Sequence, residues 1–136
     1  MKELTLEARL DNIPRATAWI DEALEALDCP MKAQMQIDVA LDEIFSNIAR
    51  YAYAPGTGDA TMRFDFDEGS GLAEVTFIDA GTPYNPLEND DPDVSLPAEE
   101  RRIGGLGIFL VKKTMDELRY RHENGKNILS LFKKIR

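Results

Sequence analysis

The segment Asp38-Val39-Ala40-Leu41-Asp42-Glu43-Ile44-Phe45-Ser46-Asn47-Ile48-Ala49-Arg50-Tyr51 decides how the rest of the chain is read. Ile37, Leu41, Ile44 and Ile48 recur at the spacing of one buried helix stripe. At about 100° per residue, Glu43 and Asn47 fall together on the flank of that stripe, one turn apart. A carboxylate above a carboxamide at the edge of a core can converge on one ligand. An isolated Glu-x-x-x-Asn is also an ordinary surface pair, so its meaning depends on the residues downstream of it.

Working outward toward the start, residues 2–10 alternate, with Leu4, Leu6, Ala8 and Leu10 set against Glu3, Thr5, Glu7 and Arg9, the period of a half-buried strand. Asp11-Asn12 caps a helix that Pro14 opens and that runs to about Asp28, with Ala16, Ile20, Ala23, Leu24 and Leu27 on one face and Trp19 in packing. Pro30 restarts the chain into the long helix, which ends near Tyr53 because Pro55-Gly56 does not continue it.

Toward the other end, residues 60–67 and 72–79 alternate on either side of Glu68-Gly69-Ser70-Gly71 and predict a hairpin. Its second strand ends in Asp79-Ala80-Gly81-Thr82-Pro83-Tyr84, residues that a plain turn also uses. Residues 82–103 hold four prolines and a run of acids without periodicity, a long loop of the kind that serves as a lid or binding loop. The loop leads through Arg101, Arg102 and Ile103 into Gly104-Gly105-Leu106-Gly107, then a helix with Ile108, Val111, Met115 and Leu118 on its face. Glycines opening a helix let its first N–H groups approach an anion, which the helix dipole favours. Asn124-Gly125 joins a closing hairpin, Glu117–Glu123 with Asn127–Lys134. His122 falls in that pattern and reads as a partly buried sheet residue rather than a ligand or catalyst.

Composition excludes several classes. At 136 residues and 43% hydrophobic content, the chain fits one domain, 1–136. Its net charge of −9 argues against direct nucleic-acid binding, which needs a basic face. No apolar run approaches the ~20 residues of a membrane span, and the opening residues lack a secretory apolar region, so the expected setting is the cytoplasm. The single cysteine, Cys29, forms no internal disulfide and reads as an incidental thiol. No spacing points to zinc or calcium.

Taken together, Glu43 and Asn47 on one helix, Asp79-x-Gly81 at a strand end, a lid over about 82–104 and the Gly104-Gly105-Leu106-Gly107 helix start resemble the GHKL (Bergerat-fold) ATPases across nearly the whole chain. With Glu at position 43, the stretch Asp79 to Pro86 and the helix from Gly104 to Lys113, the chain looks most like the anti-sigma-factor serine/threonine kinases of the RsbW and SpoIIAB type. The resemblance implies an α+β two-layer sandwich, a mixed, mostly antiparallel sheet with helices on one face, the histidine-kinase-like ATPase fold. It implies ATP and Mg²⁺ as cofactors, Glu43 as catalytic base, and Asn47 as a magnesium ligand and nucleotide contact. It gives Asp79 the adenine amino group, Gly81 a close backbone approach to the base, and Gly104, Gly105, Leu106 and Gly107 the phosphates. The implied activity is phosphorylation of a STAS-type anti-sigma-factor antagonist, with a sigma factor as second partner, no membrane and a homodimer. Departures from the pattern are Tyr51 where such kinases commonly have histidine, and Pro83 and Ile103 where many relatives have glycine. They keep open an alternative, a non-catalytic nucleotide-gated binding module of the same fold. Arg101 and Arg102 are weak candidates for pairing with phosphate or a partner. The catalytic module of a sensor histidine kinase is disfavoured, because the chain has no helical hairpin carrying a phosphoacceptor histidine.

Overall fold

The computed structural model describes residues 1–88 and 105–136. In chain order the elements are β1 (Lys2–Glu7), α1 (Ile13–Glu25), α2 (Met31–Asn47), β2 (Asp59–Asp67), β3 (Leu72–Asp79), α3 (Gly105–Thr114), β4 (Glu117–Glu123) and β5 (Lys126–Lys134). The five strands form one sheet in the order β1-β2-β3-β5-β4, and the three helices contribute to a single core with it. The expected α+β architecture is the one that forms.

Period-two alternation explains which face the helices cover. Ala60, Met62 and Phe64 of β2, Ala73, Val75 and Phe77 of β3, and Leu129 and Leu131 of β5 are all buried. They meet in register, Met62 opposite Phe77, Val75 opposite Leu131 and Phe77 opposite Leu129. From the helices come Ile20 and Leu24 of α1, Ile37, Leu41, Ile44 and Phe45 of α2, and Ile108 and Val111 of α3. Each large side chain fully removed from water contributes about 1.5 to 3 kcal/mol, which makes this interdigitated layer the main source of cohesion.

All four strand pairings are antiparallel. The parallel pairing of a mixed sheet is therefore not formed among the described residues, and the reason is topological. β3 and β4 run in the same direction, but the β4–β5 hairpin folds back and inserts β5 between them, a split β-α-β arrangement. Asn124 and Gly125, at φ of 54° and 75°, turn that hairpin, as a two-residue type I′ connection requires.

Two boundaries differ from the sequence reading. β1 stops at Glu7 rather than running to Leu10, because Leu10–Asn12 form a 3₁₀ turn. α1 stops at Glu25 rather than about Asp28, because Asp28 takes a left-handed φ of 55° and the Cys29 N–H donates to the Leu24 carbonyl at 3.1 Å. α2 does end where expected, but its last turn, Ile48–Ala52, widens into a π-helical turn. Such turns occur often at functional sites. At the far side of the fold, the Lys133 ammonium donates to the Thr114 carbonyl at 2.7 Å and ties the end of α3 to β5. No helix among the described residues is long and apolar enough to cross a membrane.

Candidate functional site

A cavity of about 240 Å³ lies between the end of α2 with its π-helical turn and the sheet. Its walls are mostly apolar, with Ile44, Ile48 and Ala52 on one side and Phe77 and Leu129 of the sheet on the other. Polar groups lie at Asp79 and Asn127 on the sheet and at Asn47 on the helix, and Thr82, Pro83 and Tyr84 line the cavity from the stretch after β3. An apolar slot with a few convergent polar groups suits a flat organic ring.

Asp79 is 7% exposed, a carboxylate at the last position of β3. Its Oδ1 accepts from the Gly81 N–H at 2.9 Å and from the Asn127 Nδ2 amide at 2.9 Å. Asn127, 6% exposed, stands directly opposite Asp79 in the β3–β5 register. Its other amide hydrogen goes to the Thr82 carbonyl at 3.0 Å, while its Oδ1 accepts from the Tyr84 N–H at 3.1 Å and from the Tyr120 hydroxyl. A second tyrosine fixes the loop from below. The Tyr53 hydroxyl accepts from the Ala80 N–H at 2.8 Å and donates to the Asp59 carbonyl at 2.6 Å. Burial pushes the Tyr53 phenol above its ordinary value, and the Asp79 and Asp59 charges act in the same direction against the Ala80 N–H. Gly81 is required by packing: a Cβ there would overlap the Ala52 carbonyl, and the next residue, Thr82, donates its N–H to that same carbonyl at 2.8 Å.

The other end of the site is built on two helices. Asn47 Nδ2 donates to Glu43 Oε1 at 3.1 Å, so the stacked pair expected from the spacing is in contact. Using its N–H on Glu43 leaves the Asn47 carbonyl oxygen for another partner, the atom a hard cation prefers. Among the described residues no group of three or more His, Cys, Asp or Glu side chains is arranged around a metal. A metal here would take few protein ligands, as magnesium usually does. Glu43 does not line the cavity; its carboxylate lies against Gly107 in the first turn of α3, where a Cβ would overlap it. The glycine thus makes room for the acid. Gly105 and Leu106 begin α3. Gly104, Arg101, Arg102, Ile103 and most of the proposed lid lie outside the described residues.

Of the remaining candidates, Tyr51 is 60% exposed at the cavity rim and Pro83 forms part of the wall. His122 is exposed rather than partly buried, because β4 is an edge strand and this end of it has no helix over it. Burial pushes the Cys29 thiol up, and Asp38 adds to the effect, which leaves it a poor nucleophile. Asn127, Tyr120 and Tyr53 escape motif reading. A usable signal was present for Asn127 alone: it shares the face of Leu129 and Leu131, where an amide is out of place.

The model of the histidine kinase-like ATPase domain matches residues 6–133. Among curated proteins, the serine-protein kinase RsbW of Bacillus mycoides (strain KBAB4) is 27% identical over 95 residues, which is 67% of this chain and 58% of that protein. The RsbW of Bacillus cereus (strain B4264) is 28% identical over the same shares. The match thus spans little more than half the length of these relatives. Among solved structures, the RsbU and RsbW domains of Rv1364c from Mycobacterium tuberculosis superpose with a TM-score of 0.64 at 16% identity, over 99% of this chain and 33% of that one. The Erythrobacter litoralis EL346 blue-light activated histidine kinase gives 0.56 at 17% identity, over 79% and 32%. At such identities the superpositions speak for the fold. With the family model covering nearly all of it, the chain belongs to the histidine kinase-like ATPase domains.

Proposed function

We propose that the protein is an ATP-dependent serine/threonine kinase of a partner-switching module, which phosphorylates a STAS-type anti-sigma-factor antagonist and holds a sigma factor in its other complex. The observation that carries this reading is the Glu43–Asn47 pair: an acid seated against the glycine start of α3, one turn from an amide on the wall of a slot whose far end holds a buried carboxylate. Its relatives named serine-protein kinase RsbW support the direction of the assignment. A homodimer and a cytoplasmic setting belong to the same proposal.

In this reading the adenine ring enters between Ile48, Phe77 and Leu129, and Asp79 accepts a hydrogen bond from its amino group. Guanine presents an acceptor at that position and is refused. The Asn47 carbonyl would hold magnesium, which would supply positive charge against the negative charge developing in the transfer. Glu43 takes the proton from the acceptor hydroxyl as its oxygen attacks the γ-phosphorus, and the bond to the bridging oxygen of ADP breaks. The hydrogen bond from Asn47 orients the Glu43 carboxylate for that role. The first turn of α3 offers its N–H groups to the phosphates.

The test is transfer of labelled phosphate from ATP to candidate antagonists. Glu43→Gln is expected to lower the transfer rate by about 10² to 10⁴ with nucleotide binding retained. Undiminished transfer in that variant would refute the mechanism. A second reading, a nucleotide-gated binding module without catalysis, draws on Pro83 in the cavity wall, where no backbone donor exists, and on Tyr51 at the rim. Calorimetry separates the two: tight ADP binding without transfer to any partner favours the module, and transfer to a serine or threonine favours the kinase.

A further inference from the structure

The buried amide at Asn127 is more elaborate than a strand needs. With Asp79 opposite it, it is a buried polar side chain on the helix-covered face of the sheet, and all four of its hydrogen-bonding positions are used, two as donor and two as acceptor. The orientation of the amide is dictated from outside. The Tyr84 backbone N–H can only donate, so the atom facing it must be Oδ1, and Nδ2 is forced toward Asp79 and the Thr82 carbonyl. Both protein donors to Asp79, Gly81 N–H and Asn127 Nδ2, converge on Oδ1. Oδ2 receives no protein donor among the described residues and remains for whatever enters the cavity that Asp79 lines.

We propose that Asn127 is a positioning residue that sets nucleobase specificity: by donating to Asp79 Oδ1 it engages that oxygen and leaves Oδ2 as the acceptor for whatever enters the cavity. Through Thr82 and Tyr84 it also fastens the start of the loop after β3 to the same point. This rests on the adenine reading of Asp79 and goes beyond it, because the preference for a 6-amino over a 6-oxo purine then depends on a residue that itself need not touch the base. The chemical reason is direct. With aspartate at position 127, two carboxyl oxygens would face each other across the 2.9 Å now spanned by the N–H, and the pair would have to retain a proton between them. A protonated pair can present an O–H to the cavity, which suits a carbonyl on the base and repels nothing there.

The experiment is calorimetric titration of the full chain with ADP and with IDP, which differ at the purine 6 position in offering an amino donor or a carbonyl acceptor. The wild type is expected to bind ADP about 10-fold or more tighter than IDP. Asn127→Asp is expected to weaken ADP by about 10-fold or more while IDP is held or improved, so that the ratio collapses or inverts. Tyr120→Phe removes one donor to Asn127 Oδ1 without changing charge, and is expected to lower the ratio by a smaller factor, about 2 to 5. It keeps the proposal testable where Asn127→Asp fails to fold. A purely structural role for Asn127 would weaken both nucleotides alike and leave the ratio unchanged, and that result in a folded Asn127→Asp, or an unchanged ratio in Tyr120→Phe, overturns the proposal. Failure of the wild type to bind either nucleotide overturns the adenine reading itself and this inference with it, whereas ADP binding with an unmoved ratio overturns this inference alone.

Discussion

The two ends of the cavity are held by different means. At the sheet end, Asp79, Asn127, Tyr53 and the 80–84 stretch are joined by hydrogen bonds across β3 and β5, so the polar groups are fixed before any ligand arrives. At the helix end, Glu43 and Asn47 share one side-chain hydrogen bond, and their placement depends on how closely α3 approaches α2 at Gly107. The difference teaches that the proposed recognition is preorganised by strand register while the proposed chemistry depends on a helix–helix contact. Preorganised polar groups lose little on binding, whereas a contact between helices can be displaced without unfolding the sheet.

The largest expected effect breaks the helix end. Gly107→Ala drives a methyl group into the Glu43 carboxylate, and a displacement of that acid by about 1 Å is expected to reduce phosphoryl transfer by roughly 10². ADP binding should change far less, and single-turnover transfer with separate calorimetry checks the split. Removing the acceptor at the sheet end comes next. Asp79→Ala is expected to weaken ADP by about 10- to 100-fold, read by calorimetry, since the base loses a hydrogen bond to a charged group. Smaller again is Gly81→Ala, whose Cβ meets the Ala52 carbonyl; it should cost about 1 to 3 kcal/mol in urea unfolding and perturb the 80–84 stretch before the distant core.

A fourth prediction serves as a control away from both ends. The Asp38 carboxyl on α2 is pushed up to about 7, first by burial and then by a hydrogen bond and charge from Asp21 on α1, with Glu25 adding repulsion. Asp21 Oδ1 and Asp38 Oδ1 are buried with no hydrogen-bond donor among the described residues. Between the unfolded value of about 4 and about 7, the folded chain keeps a proton that the unfolded chain has released. That stabilisation is complete below the window, falls as pH rises through it and is gone above about 7. Asp38→Asn should therefore be nearly neutral at pH 5 and stabilising by on the order of 1 kcal/mol at pH 8, by thermal denaturation. Nucleotide affinity should not follow.

Much of the fold could be read from periodicity. The alternation in residues 60–67 and 72–79 and the Asn124-Gly125 turn reappear as β2, β3 and the β4–β5 hairpin, because short-range turn chemistry and a one-sided core leave few alternatives. Strand order was less accessible: that β5 slips between β3 and β4 is decided by long-range pairing, which no local pattern records. At the site, the helical spacing of Glu43 and Asn47 was enough to anticipate their contact. Asn127 could not be anticipated as Asp79's partner, since 48 positions separate them and only the register makes them neighbours. Gly81, which the resemblance sets close to the base, is held by contact with the Ala52 carbonyl on the π-helical turn, where a Cβ would overlap it.

The late insertion of β5 has a consequence for the chain as it is made on the ribosome. Until residues 126–134 emerge, β3 has a neighbour on one side only, and its other edge offers unpaired backbone groups to any strand that comes near. The acidic end of that strand would then also lack its amide. A translating chain can thus bring out β1 to β3 and its first helices before β5 exists, and Asp79 gains its buried amide only when the closing hairpin slots in beside β3.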